Sequence, residues 1–159
     1  MRHKQQAVSR HKSSVLIETG TYYGDMVAAQ LGNFERIISI ELSDKLYKKA
    51  VERFKGVENV TLLHGDSGKL LPAIVKTLHE PATFWLDGHY SRGVTARGDK
   101  DTPVKDELKA ILNHHIRHKI LMDDARHYTG DNDYPTIDEI KKAAKDYTVT
   151  VDNDIIYLL

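Results

Sequence analysis

Tyr147-Thr148-Val149-Thr150-Val151-Asp152-Asn153-Asp154-Ile155-Ile156-Tyr157-Leu158-Leu159 closes the chain with two β-favouring runs around a short Asp/Asn link. Runs so rich in β-branched and aromatic residues, joined by so few residues, pair as an antiparallel hairpin. Upstream the rhythm differs. The apolar runs Val15-Leu16-Ile17, Ile37-Ile38-Ser39-Ile40, Val60-Thr61-Leu62-Leu63, Thr83-Phe84-Trp85-Leu86 and Ile120-Leu121-Met122 read as strands buried on both faces. Between them lie helices. Leu46, Tyr47, Ala50, Val51 and Phe54 share one stripe, and Leu70, Leu71, Ile74, Val75 and Leu78 another. A further helix runs from Val104 through Leu108, Ile111 and Leu112, with Thr102 as its cap and Pro103 at the first helical position. Thr136 with Glu139 forms a capping box that opens the next, through Ile140, Ala143 and Ala144. Strands joined by helices return to the same end of the sheet and pair in parallel. The fold expected is therefore α/β: a doubly wound, mostly parallel seven-stranded sheet with helices on both faces, finished by an antiparallel hairpin.

A length of 159 residues suits one domain, expected over 15–159, preceded by a basic segment, 1–14, carrying Arg2, Lys4, Arg10 and Lys12. That segment reads as a solvated tail. The 23 basic and 23 acidic residues cancel, so no long-range field gathers nucleic acid or an anionic membrane, and a nucleic-acid partner is disfavoured. No apolar stretch is long enough for a signal peptide or a membrane span, which points to a cytoplasmic chain. The absence of Cys excludes disulfides, thiolate zinc sites and a cysteine nucleophile.

Function is announced by acids at the strand ends: Glu18, Glu41, Asp66, Asp87 and Asp123-Asp124, one acid or pair after each of the first five strands. In a parallel sheet these ends share one edge, and ligands bind there where the strand order reverses. The first turn, Glu18-Thr19-Gly20-Thr21-Tyr22-Tyr23-Gly24-Asp25, places two glycines between strand and helix. Its Gly-x-x-x-Gly spacing is neither the dinucleotide fingerprint nor a P-loop, which disfavours a nicotinamide cofactor and a nucleoside triphosphate.

From Val15 to Leu159 these residues resemble the class I S-adenosylmethionine-dependent methyltransferases, whose Rossmann-like wind ends in such a hairpin. The chain is also similar to small bacterial and archaeal proteins of that superfamily through Phe84-Trp85-Leu86-Asp87-Gly88-His89-Tyr90, Asp101-Thr102-Pro103 and Asp123-Asp124-Ala125-Arg126. The resemblance implies S-adenosyl-L-methionine as cofactor, with Glu18, Gly20, Tyr22 and Gly24 in the loop against its methionine part. It further implies that Glu41, 23 residues after Glu18, accepts hydrogen bonds from both ribose hydroxyls, and that Asp66, assisted by Ser67, lies beside the adenine. A cofactor without phosphate needs acceptors for hydroxyls and amines rather than an anion cradle, and its sulfonium tolerates carboxylates.

Asp87, Asp123 and Asp124 form a second group, whose mutual repulsion is relieved by a hard divalent cation such as Mg²⁺. This pattern is similar to the metal-dependent catechol-type and macrolide-sugar O-methyltransferases. It departs from the catechol type where Asp124 replaces Asn and Tyr90 replaces the lysine base. His89 is the preferred replacement base beside Asp87, with His127 in reserve. His114, His115 and His118 read as structural, near a helix C-terminus where His suits the dipole. The polar stretch from His89 to Pro103, with Arg92, Arg97, Lys100 and Asp101, reads either as a lid or as a disordered loop. Together with Asp124 to Tyr134, including Arg126, His127 and Tyr128, it would form the acceptor side. The expectation is methyl transfer to a hydroxyl of a small molecule or sugar; either the acceptor is small, or a second copy of the chain completes the pocket as a homodimer. The rival readings are a noncatalytic S-adenosylmethionine-binding protein and a metal-dependent hydrolase using the same acidic edge.

Overall fold

The computed structural model describes residues 1–88 and 102–159. Seven strands, β1 (Val15–Thr19), β2 (Arg36–Glu41), β3 (Val60–His64), β4 (Ala82–Leu86), β5 (Lys119–Met122), β6 (Val149–Asp152) and β7 (Ile155–Leu158), form one sheet in the order β3-β2-β1-β4-β5-β7-β6. The first five are parallel, and β7 runs antiparallel between β5 and β6. The helices are α1 (Arg2–Arg10), α2 (Asp25–Gln30), α3 (Asp44–Arg53), α4 (Ser67–Lys76), α5 (Val104–Leu112) and α6 (Ile137–Ala143). Asn153 and Asp154, both with positive φ, make the two-residue turn between β6 and β7, the left-handed pair that matches strand twist.

Alternation along the strands divides the core in two. Ile17, Phe84, Leu86, Ile120 and Met122 pack with Leu71, Val75, Leu108, Ile111 and Ile140 of α4, α5 and α6. Leu16, Ile37, Trp85 and Leu121 pack with Ala7, Val8, Met26, Val27 and Ala50 of α1, α2 and α3. Helices cover both faces, as the strand–helix alternation requires. β3 departs from the expectation of two-sided burial: as the edge strand it has no fully buried residue. Pro103 is the N-cap of α5 rather than its first helical residue, while Thr102 Oγ1 accepts from the Val104 N–H at 3.3 Å. The Thr136–Glu139 capping box forms as expected.

The basic segment is the larger correction. It is a docked helix, not a solvated tail: Ala7 and Val8 are buried, and the buried Gln30 side chain donates to the Gln5 carbonyl at 2.9 Å and accepts from Ser9 Oγ at 3.0 Å. Two small apolar residues suffice because α2 supplies these polar partners. No helix among the described residues is long and apolar enough to cross a membrane.

Candidate functional site

Strand order reverses between the neighbours β1 and β4, and a crevice opens beyond their carboxyl ends. The loops after these strands touch. Gly20 has φ +84°, and a Cβ there would lie 2.5 Å from the Asp87 carbonyl oxygen. Glycine is thus required by both conformation and contact. At Gly24, which caps α2, a Cβ would lie 2.6 Å from the Phe54 ring, so close packing against α3 accounts for that residue.

The acids of the first three strands are held by the backbone and by hydroxyls. Glu41 ends β2, nearly buried; one carboxylate oxygen accepts from the Tyr22 N–H and the other from the Ser43 N–H, both at 2.8 Å. The first bond holds Tyr22 in its left-handed conformation. Each oxygen keeps a lone pair for a ligand. Glu18 lies within β1, fully covered, and accepts from the Ser39 hydroxyl, which is itself 2.6 Å from Thr21 Oγ1. Burial pushes its carboxyl up to about 8, opposed by the Ser39 hydrogen bond and reinforced by the charges of Asp87 and Glu41. Asp66 caps α4, accepting from the Gly68 N–H at 2.9 Å, and the neighbouring Ser67 is buried.

On the other side of the crevice Asp87, Asp123 and Asp124 bring carboxylate oxygens within 4.8 Å of one another. The Asp124 N–H donates to Asp123 Oδ1 at 2.7 Å. Burial and then Asp87 raise the Asp123 carboxyl to about 6. Three hard oxygen donors at this spacing suit a divalent cation. Protein cations already engage two of them: Lys4 Nζ is 2.5 Å from Asp123 and 3.1 Å from Asp124, and Arg126 is 2.9 Å from Asp124. Arg126 also pairs with Asp154 of the β6–β7 turn, tying the hairpin to the rim. Asp123 and Asp87 line a cleft with Gly88, Thr102, Tyr128 and Tyr134, with room for about one water. Burial holds the Tyr134 hydroxyl up at about 12 and raises that of Tyr128 well above its ordinary value, so both stay protonated and able to donate.

Glu41, Asp66, Asp87, Asp123 and Asp124 therefore share one rim at the carboxyl ends of the strands, whereas Glu18, expected after β1, lies inside that strand and is buried beneath the rim. Tyr128 lines the cleft beside Asp87 and Asp123, whereas His127 is exposed, its ring 5.8 Å from that of Tyr134. His89 and the lid residues Arg92, Arg97, Lys100 and Asp101 lie outside the described residues. The other histidines serve structure, by a different route from the expected dipole interaction. His118 Nδ1 accepts from the Ala82 N–H at 3.0 Å and its Nε2 meets His114 Nδ1 at 2.9 Å. Burial lowers the His118 imidazole to about 4, so it acts as a neutral linker.

Two residues at the rim escaped sequence reasoning. Lys4 was hidden in a segment read as a tail. Glu107 is fully buried on α5, and neither carboxylate oxygen has a hydrogen-bond partner among the described residues. Its signal was present: it stands three residues after Val104 and four before Ile111, on the apolar stripe.

No family model matches the sequence, and no curated protein matches it. Solved structures do. The O-methyltransferase TomG from Streptomyces achromogenes, involved in tomaymycin synthesis and solved with S-adenosylmethionine, is similar at 14% identity and TM-score 0.65, over 99% of this chain and 77% of that one. An O-methyltransferase from Bacillus cereus, solved with S-adenosylhomocysteine, is similar at 16% identity and TM-score 0.62, over 99% and 79%. A dimethyladenosine transferase from Plasmodium falciparum is similar at 14% identity and TM-score 0.62, over 99% and 60%. The fold is that of the class I S-adenosylmethionine-dependent methyltransferases.

Proposed function

We propose that this protein binds S-adenosylmethionine across the ends of β1, β2 and β3 and transfers its methyl group to a hydroxyl oxygen of a small molecule or sugar. The observation that carries the reading is Glu41: its two oxygens are fixed by one backbone N–H each and aligned at the end of β2, where a vicinal diol can donate to both. The Gly20 N–H donates to the carbonyl of Ile40, the residue before Glu41, and Asp66 and Ser67 offer acceptors at the next strand end. Glu18 and its hydroxyl relay stiffen the strand beneath. The cofactor supplies an electrophilic methyl on a sulfonium; the chain supplies position, which carries most of such a displacement.

On the acceptor side Tyr128 and Tyr134 donate hydrogen bonds and the three aspartates accept them. Asp87, Asp123 and Asp124 would hold a divalent cation, whose chemistry there is to make an acceptor hydroxyl more acidic. His89, two residues beyond Asp87 in sequence, is the proposed base. The similar structures include O-methyltransferases and a dimethyladenosine transferase; the acceptor-rich cleft with room for one small polar group favours a hydroxyl.

Calorimetric titration with S-adenosylmethionine and S-adenosylhomocysteine tests the reading. Glu41→Ala removes a charged acceptor and weakens both ligands by about a hundredfold. Asp87→Ala leaves their affinity largely intact and abolishes turnover with a catechol or methyl glycoside acceptor. Unchanged affinity in Glu41→Ala, or no binding by the wild-type protein, overturns the assignment.

A further inference from the structure

Glu107 is anomalous among the rim acids. A carboxyl on the apolar stripe of a core helix, between Val104, Leu108 and Ile111, gives the fold nothing that leucine or methionine would not, and costs desolvation. Here the cost is uncompensated: both oxygens and Thr19 Oγ1 lack hydrogen-bond partners among the described residues. No described lysine or arginine pairs with it. Burial raises the carboxyl to about 7, the hydroxyls of Ser67 and Thr19 oppose this, and Asp66 and Asp106 add to it.

Its location is specific. Thr19 ends β1 just before Gly20, and Ser67 follows Asp66, so both belong to the proposed cofactor side. Gly88, next to Asp87, belongs to the acceptor side; a Cβ there would stand 3.3 Å from Glu107 Oε1 and 3.2 Å from Thr19 Oγ1. Glu107 also lines the acceptor cleft with Asp87 and Tyr128. It therefore underlies the junction across which a methyl group must pass. An unpaired carboxylate at that junction, surrounded by acceptors and neutral hydroxyls, suits a positively charged ligand and repels an anionic one.

We propose that Glu107 is the counter-charge that recognises the sulfonium cation of S-adenosylmethionine and discriminates it from the uncharged thioether of S-adenosylhomocysteine. The inference rests on the cofactor reading above. The groups facing Glu107 are Asp66 at the start of α4, Asp106 on its own helix, Tyr128 in the segment after β5 and Asp87 across the cleft. A bound cation favours the ionised carboxyl, so affinity for S-adenosylmethionine rises with pH through about 7, while affinity for the thioether does not.

The test is the ratio of dissociation constants for the two ligands, measured by calorimetry between pH 6 and 8 on wild type, Glu107→Gln and Glu107→Met. Both variants lose about tenfold or more in affinity for S-adenosylmethionine, keep their affinity for S-adenosylhomocysteine, and flatten the pH dependence of the ratio. Using two variants of similar volume separates charge from packing, and a melting curve establishes that each is folded. An unchanged ratio in a folded variant overturns the counter-charge role while leaving the cofactor site standing. Equal loss for both ligands also overturns it, assigning Glu107 to shape instead. Failure of wild type to bind either ligand removes the cofactor reading and this inference together.

Discussion

Glu18 and Glu107 are both wholly buried acids at the crevice, and both have raised carboxyls, yet their surroundings differ. Glu18 receives the Ser39 hydroxyl, with Thr21 behind it, whereas Glu107 receives nothing among the described residues. A buried acid inside a completed hydrogen-bond relay contributes to architecture, because deleting it strands donors. One left without partners is a local conflict between sequence and fold, and such conflicts gather where a ligand completes the site. The two halves of the rim follow the same division. Glu41 and Asp66 are fixed by backbone N–H groups, while Asp123 and Asp124 are neutralised by a lysine from the distant α1 and by Arg126, two residues past Asp124.

The most damaging way to break the comparison is to separate the halves. Gly20→Ala places a methyl 2.5 Å from the Asp87 carbonyl oxygen in a left-handed conformation, so the loops after β1 and β4 must part. The expected loss is about 3–4 kcal/mol of stability by urea denaturation, accompanied by loss of S-adenosylmethionine binding in the folded fraction. A variant as stable as wild type would mean that the two loops move independently.

A smaller effect sharpens the contrast between the acids. Both folded-state values, about 8 for Glu18 and about 7 for Glu107, lie above the ordinary 4.5. Between that value and the raised ones the folded state binds more protons than the unfolded state, so stability falls as pH rises from about 5 to 8. Glu107→Met removes one such burden and is expected to gain on the order of 2 kcal/mol at pH 8, a gain that fades towards pH 5. Glu18→Ala is expected to lose about 2 kcal/mol at pH 5, because it removes the acceptor of the Ser39 hydroxyl, and to lose less at pH 8, where ionising the raised Glu18 carboxyl is itself a burden. Thermal melts at the two pH values decide it; a loss in Glu107→Met at pH 8 would make that acid structural as well.

The sheet was legible because periodicity and burial are the same physics. Five apolar runs separated by helical stripes leave little freedom of topology, and the Asp152-Asn153-Asp154 link announced the hairpin. Convergence of Glu41, Asp66, Asp87 and Asp123 came from parallel pairing alone. What escaped was set by tertiary contact. Ala7 and Val8 are too few to signal a docked helix until Gln30 is seen meeting Gln5 and Ser9. Glu107 could have been read as an acid at an apolar position, yet its lack of partners is a property of α4, β1 and the β4 loop together.

Lys4 gives the mildest test, on the half of the rim proposed to take the acceptor. Its ammonium is held above its ordinary value: burial opposes, but the hydrogen bonds and charges of Asp123 and Asp124 outweigh it. In that position it neutralises two of the carboxylates that a divalent cation would use, so lysine and metal compete. Lys4→Met keeps the aliphatic stem on α1 and removes the charge. In metal-free buffer the variant is expected to lose about 1–2 kcal/mol, since two partly buried aspartates lose a cation. In Mn²⁺ it is expected to bind the ion about tenfold more tightly than wild type and to regain that stability. Calorimetry with Mn²⁺ reads the first change and melting with and without the ion the second. If neither protein binds Mn²⁺ and the loss persists, Lys4 is the permanent cation of the aspartates, and acceptor activation falls to side chains alone.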